Sequence, residues 1–212
     1  TPQFTAQNCV ITVAHSLITC DCVEGAGANL DLTVTAGGQT SAASGGAVIS
    51  YAQSTIDTIT VITPASGDLS TRGGAVVEFV GNDFGPDEAY NDYAVRYGAN
   101  PDDPAVFAYD MVNCDLTVAH STLRCEMAPG VGNNMVFQTR AAGQWGVSST
   151  DTLSYLPPTL TSVSAPALLL TQGGESVVIT GDEFGPTGLS PIRALYGPFT
   201  TAFCQVTVEY TE

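Results

Sequence analysis

The sequence predicts an all-β protein made of tandem β-sandwich repeats, with negligible helix. Short runs rich in Val, Thr, Ser and Ile are separated by 22 Gly and 12 Pro residues, which is typical of strands and turns. No window of helical length has a 3.6-residue hydrophobic period. The chain also matches itself at a spacing of about 100 residues, the size of a small β-sandwich.

The internal repeat consists of two blocks. Residues 8–16, Asn-Cys-Val-Ile-Thr-Val-Ala-His-Ser, reappear at 113–121 as Asn-Cys-Asp-Leu-Thr-Val-Ala-His-Ser, an offset of 105. Residues 73–86 match residues 173–186 at an offset of 100. The first block opens a third time at Cys204. Self-similarity of this kind predicts one structural unit per repeat.

The repeat divides the chain into three segments. Residues 1–51 correspond to the C-terminal half of a unit, residues 52–156 to a complete unit, and residues 157–212 to the N-terminal half of another. Two alternatives remain open for the half units. Either a neighbouring subunit completes them, or the chain is a slice of a longer tandem array and the completing sequence lies outside it.

Four runs of the complete unit are predicted as strands because β-favouring residues alternate there between Gly, Pro, Asn and Asp turns. They are residues 76–80, 93–97, 105–108 and 135–139. Two further strands flank each Ala-His pair and are predicted to form an antiparallel hairpin.

The register of these hairpins follows from a turn at Ala-His. The predicted pairs are Val13 with Ser16, Ile11 with Ile18, Cys9 with Cys20, Leu116 with Leu123, and Cys114 with Cys125. The apolar side chains and the sulfurs then fall on one face, and opposed residues are close enough for a disulfide. Two disulfides predict an oxidising compartment. The alternative is zinc ligation or free thiols, but no second pair at metal spacing accompanies either copy.

Two cysteines have no partner within a hairpin. Cys22 follows the first hairpin, and Cys204 opens a third whose partner would fall at position 215, beyond residue 212. One interpretation is that the partner belongs to omitted sequence. The other is an inter-subunit disulfide between Cys204 and Cys22 of the next subunit.

The charge of the chain excludes some partners. It carries 21 acidic and 5 basic residues, a formal net charge of −16. Nucleic acid and anionic membranes are therefore not expected as partners, because both are bound through Lys and Arg. The longest apolar run, residues 165–170, is far shorter than the roughly 18 residues of a membrane helix. Since such a surface repels itself, assembly should depend on salt or divalent cations.

Several motifs together resemble one family. The Gly-Asn-Asp-Phe-Gly-Pro turn at 81–86 and its copy at 181–186 follow Gly-Gly and an alternating strand. The Cys-x-Val/Leu-Thr-Val-Ala-His hairpin, a Gly-x-Gly turn, a Gln-containing strand and a terminal Tyr come next. This pattern resembles IPT/TIG domains, the immunoglobulin-like folds found in plexins, hepatocyte growth factor receptors and fibrocystin-like proteins.

The resemblance covers the chain as half, whole and half units. It implies tandem early-set immunoglobulin-like β-sandwiches, an extracellular or cell-surface location, and a role in binding or scaffolding. It supplies no catalytic residue, and we expect no enzymatic activity.

Little else in the sequence indicates chemistry. The candidates for a structural calcium ion, the one cofactor considered, are Asp83, Asp87, Glu88 and Asp92. The spacing is not that of an EF-hand, and a solvated acidic loop is the favoured interpretation. His15 and His120 share one turn position and are predicted to be structural. Trp145 has no counterpart in the first copy and is either a contact residue or packing.

Glycans, if present, should be O-linked because no Asn-x-Ser/Thr sequon occurs. The candidate stretches are residues 40–45, 147–153 and 159–164, whose alternative interpretation is ordinary strand and turn sequence.

The half units favour a structural subunit of an extracellular fibril or cell-surface appendage. Each half alone would expose an apolar face and unpaired edges, whereas residues 157–212 supply the first strands of a unit and residues 1–51 the last. Completion between identical subunits, head to tail, repeats without closing and gives a filament. The alternative function is a fragment of a receptor or adhesin ectodomain whose tandem repeats bind a protein ligand.

Overall fold

The computed structural model describes residues 4–46, 48–86, 93–99, 109–188, 192–201 and 203–208. These residues form strands, turns and irregular segments, and none of them is helical. Accordingly, the described part of the chain has no helix of the length and apolar character that crossing a membrane requires.

The described strands fall in three groups along the chain. Residues 1–51 contribute β1 (Gln7–Val13), β2 (Leu17–Asp21), β3 (Leu30–Asp31), β4 (Thr35–Ala36), β5 (Gln39–Thr40) and β6 (Val48–Ile49). The middle segment contributes β7 (Thr55–Thr63), β8 (Val76–Asn82), β9 (Ala94–Gly98), β10 (Tyr109–Asp110), β11 (Val112–Val118), β12 (Thr122–Glu126), β13 (Val136–Ala141) and β14 (Gln144–Trp145). The last segment contributes β15 (Thr159–Ser164), β16 (Val178–Asp182), β17 (Leu195–Tyr196) and β18 (Phe199–Thr200).

The middle segment is a sandwich of two antiparallel four-stranded sheets. One sheet has the order β11-β12-β8-β7 and the other the order β10-β9-β13-β14. Alternate residues of β8 and β13 are buried, as the two-residue period of a strand requires when one face meets a partner sheet. The all-β immunoglobulin-like prediction is therefore confirmed.

Aromatic side chains fill the core between the two sheets. Phe137 packs against Phe79 and Tyr97, with ring centroids 5.4 Å and 5.3 Å apart. The hydroxyls of Tyr97 and Tyr155 lie 2.6 Å apart, and the Tyr155 hydroxyl donates to the backbone carbonyl of Ala128. Burial raises the pKa of Tyr97 to about 12, so this phenol remains a neutral hydrogen-bonding group.

The outer segments form only two-stranded sheets among the described residues. Residues 1–51 contain the pairs β1-β2, β3-β6 and β4-β5, and the last segment contains β15-β16 and β17-β18. Most of their apolar side chains remain exposed. These segments therefore have the strands of a sandwich without its second layer.

Several strand predictions need correction. Val13 pairs with Leu17 and not with Ser16, because Ala14–Ser16 form a three-residue turn in which His15 adopts a φ of 67°. The strands predicted at 76–80, 93–97 and 135–139 run over 76–82, 94–98 and 136–141. Strand β7 was not predicted, although Ile and Thr alternate along it. The strand predicted at 105–108 lies outside the described residues.

Candidate assembly surfaces

The first hairpin, β1-β2, repeats the geometry of β11-β12. Ile11 pairs with Ile18 as Leu116 pairs with Leu123, and both hairpins shift register at the same two places. The disulfides Cys9–Cys20 and Cys114–Cys125 are the pairs that the sequence predicts. Because the backbone is the same in both copies, any difference in burial comes from what lies beside and above the hairpin.

That difference is large. In the middle segment β12 pairs with β8 and the second sheet covers the face, so Leu116 and Leu123 are 8% and 1% exposed. Their counterparts Ile11 and Ile18 are 68% and 43% exposed. Strand β1 is exposed along its whole length. Within the described residues, the β1-β2 hairpin thus presents an apolar face that the same sequence pattern buries elsewhere.

The hairpin β15-β16 repeats β7-β8 in the same way. Thr159 pairs with Asp182 as Thr55 pairs with Asn82, and both hairpins contain a bulge one residue further on. At this bulge a Cβ added to Gly81 or to Gly181 would lie 1.9 Å from the carbonyl oxygen of the opposite strand, so only glycine fits. The apolar face of β15-β16, like that of β1-β2, is not covered by a second sheet among the described residues. Leu160 is 69% exposed, whereas its counterpart Ile56 is 9% exposed.

The short sheets of the outer segments complete the correspondence. Tyr196 pairs with Phe199 in β17-β18 as Tyr97 pairs with Tyr109 in β9-β10, and the ring centroids lie 5.7 Å and 5.2 Å apart. The pairs of β4-β5 match those of β13-β14. The Tyr51 hydroxyl donates to the backbone carbonyl of Val23 at 2.8 Å, the equivalent of the Tyr155 contact.

The two outer segments thus correspond to different parts of the complete unit. Residues 4–49 match 109–153, and residues 159–208 match 55–118. Positions 109–118 are consequently represented twice, once at 4–13 and once at 199–208. Residues 203–208 belong to no strand, and Phe203 is exposed.

The middle segment contacts the first segment at the end where β8 finishes. Ala26 is buried there, and a Cβ added to Gly85 would lie 3.0 Å from its Cβ. His120 Nε2 and Glu24 Oε2 lie 3.2 Å apart. Gln144 also donates to the backbone carbonyl of Tyr51 at 3.3 Å.

The contact with the last segment lies at the opposite end, where β8 begins, and centres on Glu183. Its Oε2 accepts hydrogen bonds from the Thr71 backbone N–H at 2.6 Å and from the Thr71 hydroxyl at 2.7 Å. The Ser70 hydroxyl donates to both carboxylate oxygens, at 2.9 Å and 3.2 Å. Arg72 lies 2.8 Å from the Asp182 carboxylate and 3.5 Å from that of Glu183.

The electrostatics of Glu183 follow from these contacts. Burial acts to raise the pKa of its carboxyl, but the hydrogen bonds from Thr71 and Ser70 outweigh burial, and the net pKa is lowered. The carboxylate is therefore the stabilised form, and it fastens the last segment to the sandwich. Sequence reasoning did not single out Glu183, because its partners lie about 110 residues away in the chain.

The two cysteines outside the hairpin disulfides lie in different segments of the chain. Cys22 is exposed, and the half-buried Cys204 has its sulfur 2.9 Å from the Thr201 hydroxyl. Asp83 is exposed, whereas the calcium candidates Asp87, Glu88 and Asp92 lie outside the described residues. Among the residues with described positions, no group of three or more His, Cys, Asp or Glu side chains could hold a metal ion.

The two histidines lie in turns, and Trp145 packs against arginine side chains. His15 and His120 both adopt a positive φ, 67° and 63°, at the tip of their hairpins. Trp145 is half-buried, and the guanidinium carbons of Arg96 and Arg140 lie 4.1 Å and 5.2 Å from its ring centroid. Trp145 thus covers two of the few cations of the chain.

Comparison with known proteins gives one result. The model of the IPT/TIG domain family matches residues 58–155, which is the middle sandwich. Searches of curated proteins and of solved structures returned no significant match.

Proposed function

Because residues 58–155 form an IPT/TIG domain, an immunoglobulin-like module of extracellular and receptor-type proteins, we propose that the chain is a structural subunit of an extracellular fibril or cell-surface appendage. Subunits assemble head to tail, and the last segment of one subunit and the first segment of the next complete one sandwich. The two disulfides fit an oxidising extracellular environment.

The observation that carries this proposal is the complementarity of the exposed segments. The last segment has the counterparts of β7 to β10, and the first segment has the counterparts of β11 to β14. Together they contain every strand position of the IPT/TIG sandwich. Apart, each presents an apolar face and open sheet edges, which favour association with another chain.

The register of the joined sheets follows from the complete domain. Leu123 of β12 pairs with Phe79 of β8. By the repeat offsets, Ile18 pairs with Ile179 of the neighbouring subunit. The first sheet of the completed sandwich then has the order β1-β2-β16-β15, with β1 and β2 from one subunit and β16 and β15 from the other. Such a contact joins different surfaces of identical chains, so it repeats without closing and produces a filament.

The duplicated positions leave one segment spare. If β1 occupies the place of β11, residues 203–208 of the neighbour have no strand position within the sandwich. Because β11 lies at a sheet edge, β1 can accept these residues as an additional strand. The segment would thus extend the contact between subunits.

The two free cysteines lie in the segments that the joint brings together. Cys22 lies just beyond β2, as Met127 lies just beyond β12, and Cys204 lies in the spare segment that would pair with β1 of the next subunit. A disulfide between Cys204 and Cys22 of the next subunit would link the added strand to the sheet. Each bond would form as two thiols lose two electrons and two protons to an oxidant such as molecular oxygen. Non-reducing electrophoresis of intact assemblies tests this link, and bands that are strictly monomeric would exclude it.

The experiment that tests the function uses the 212-residue chain itself. The purified protein should form filaments in negative-stain micrographs at moderate salt, with a disulfide-reduced denatured mass near 21.9 kDa for the native subunit. A cooperatively melting monomer at all concentrations would refute the proposal. A much larger native mass would favour the alternative, a tandem-repeat ectodomain of a receptor or adhesin.

A further inference from the structure

We propose that Asp83 is a second contact point between subunits, which binds Thr171 of the neighbouring subunit. The inference rests on the proposed head-to-tail assembly and identifies residues outside the joined sheets. It follows from the contact between the IPT/TIG domain and the last segment, where the turn at 69–74 holds Glu183. One copy of that contact lies within each subunit, and its second copy would form between subunits.

The acceptor side of the contact is repeated in the sequence and in the backbone. Asp83 lies at the position of Glu183, at an offset of 100 in the Gly-x-x-Phe-Gly-Pro turn. Both residues adopt a φ of 60°, which is uncommon for residues other than glycine. Glu183 accepts hydrogen bonds from Thr71 and Ser70. Asp83 is exposed, and its carboxylate has no such contact with the residues that the structure describes.

The donor side of the contact is repeated as well. Residues 169–174, Leu-Leu-Thr-Gln-Gly-Gly, correspond to Leu-Ser-Thr-Arg-Gly-Gly at 69–74. In both turns the glycine N–H donates to the carbonyl three residues earlier, at 3.0 Å. Thr71 is 1% exposed, whereas Thr171 is exposed. Thr171 therefore has the same two donors, its hydroxyl and its N–H, in a turn where the Glu175 carboxylate accepts the neighbouring Leu170 N–H at 2.7 Å.

A second hydrogen bond fixes where the turn must sit. In the complete domain the Gly130 N–H donates to the carbonyl of Thr71 at 3.0 Å. Gly25 is the counterpart of Gly130, and Ala26 beside it packs on Gly85 within the same chain. Gly25 and Asp83 thus lie one and two residues from this contact, and they offer a donor and an acceptor on the same side of the joint. The backbone of Thr171 matches this pair, with its carbonyl toward Gly25 and its N–H toward Asp83.

The differences between the two copies are mutually consistent. Asp83 is one methylene shorter than Glu183 and reaches fewer donors. On the other side Leu170 replaces Ser70 and offers no hydroxyl, and Gln172 replaces Arg72 and carries no charge. Glu175 also replaces Ala75 and adds a carboxylate to this turn, bound to the Leu170 N–H. The inter-subunit contact therefore reduces to the two Thr171 donors on Asp83, and it is weaker than the contact within the subunit.

The test measures the critical concentration for polymerisation by sedimentation, with the wild-type protein, four single variants and one double variant. Asp83→Asn keeps a residue that tolerates positive φ but removes the charge, and Thr171→Val removes the hydroxyl. Each should raise the critical concentration about tenfold, the effect of losing a hydrogen bond to a charged group. Thr171→Ser should restore the wild-type value, and Asp151→Asn, an exposed carboxylate elsewhere on the domain, should leave it unchanged.

The double variant Asp83→Asn with Thr171→Val distinguishes a direct contact from two independent effects. If Asp83 and Thr171 bind each other, the critical concentration of the double variant should be no higher than that of the more strongly impaired single variant. Wild-type polymerisation with both single variants unaffected would overturn this inference and leave the assembly intact. Failure of the wild-type protein to polymerise would overturn the proposed function and the inference together.

Discussion

Replacing Ile11 with Ala should weaken assembly while leaving the isolated chain folded. Ile11 is 68% exposed, but its counterpart Leu116 in the complete sandwich is 8% exposed. Completion therefore buries about six-tenths of the residue, and full burial of such a side chain contributes about 1.5–3 kcal/mol. The substitution should cost about 1–2 kcal/mol per subunit contact, a rise of about 5–30-fold in critical concentration.

The matched control is the adjacent residue. Thr12 is exposed like Ile11, but its counterpart Thr117 stays exposed in the complete sandwich, so Thr12→Ala should polymerise like the wild type. Sedimentation over a concentration series gives the critical concentration, and thermal melting of dilute protein verifies that both variants remain folded. The burial of this face would be refuted if the wild type polymerises and Ile11→Ala leaves its critical concentration unchanged. It would also be refuted if both substitutions raise the critical concentration equally.

Three further predictions concern the domain itself. Replacing Cys114 and Cys125 together with Ala should lower the free energy of unfolding by about 3 kcal/mol, from the loop that the bond closes, as measured by urea denaturation with Cys22→Ser as control. Glu183→Gln should destabilise the contact with the last segment at neutral pH by about 1–3 kcal/mol. Because the pKa of Glu183 is lowered on folding, wild-type stability should also fall as acid protonates it, and the variant should lack that part of the pH dependence. The raised pKa of Tyr97 stabilises the fold fully below its ordinary value of 10.0, and this contribution should be lost as the pH rises to about 12, visible as an alkaline decrease in melting temperature that Tyr97→Phe reduces.

The outcomes that contradict these predictions are distinct. An unchanged urea midpoint after removal of the Cys114–Cys125 bond would show that the hairpin is held by packing alone. Parallel acid profiles for the wild type and Glu183→Gln would show that this carboxyl does not couple folding to pH. An alkaline decrease that Tyr97→Phe leaves unaltered would assign that decrease to other groups.

The repeat made most of the fold predictable. Matching residues at a constant offset fixed the Cys9–Cys20 and Cys114–Cys125 pairs, because strand alternation leaves one register that places sulfur and aliphatic side chains on a single face. The predicted turn of the first hairpin is one residue too short. Sequence alone does not distinguish a two-residue from a three-residue hairpin turn when His15 can adopt a positive φ. This error is local, and it does not change which side chains of the hairpin lie on its apolar face.

The contacts between segments were beyond sequence reasoning. Glu183 reads as an ordinary residue of an acidic turn, and Thr71 as part of a polar loop. Their contact depends on how one sandwich is placed on the next, which neither hydrophobic periodicity nor turn chemistry encodes. The repeat did contain the signal that Asp83 and Thr171 lie at equivalent positions, but its meaning required the structure of one complete contact.

The fastening of Glu183 by Ser70, Thr71 and Arg72 has a mechanical consequence for any polymer of this chain. A carboxylate held by three residues restricts bending and rotation between the sandwich and the last segment of the same subunit. Because the same angle would recur once per subunit along a fibre, the rotations add in one direction, and we expect a regular helical pitch and a fibre that is stiffest at this joint. Weakening the contacts of Glu183 should shorten the persistence length of the fibre before it prevents assembly.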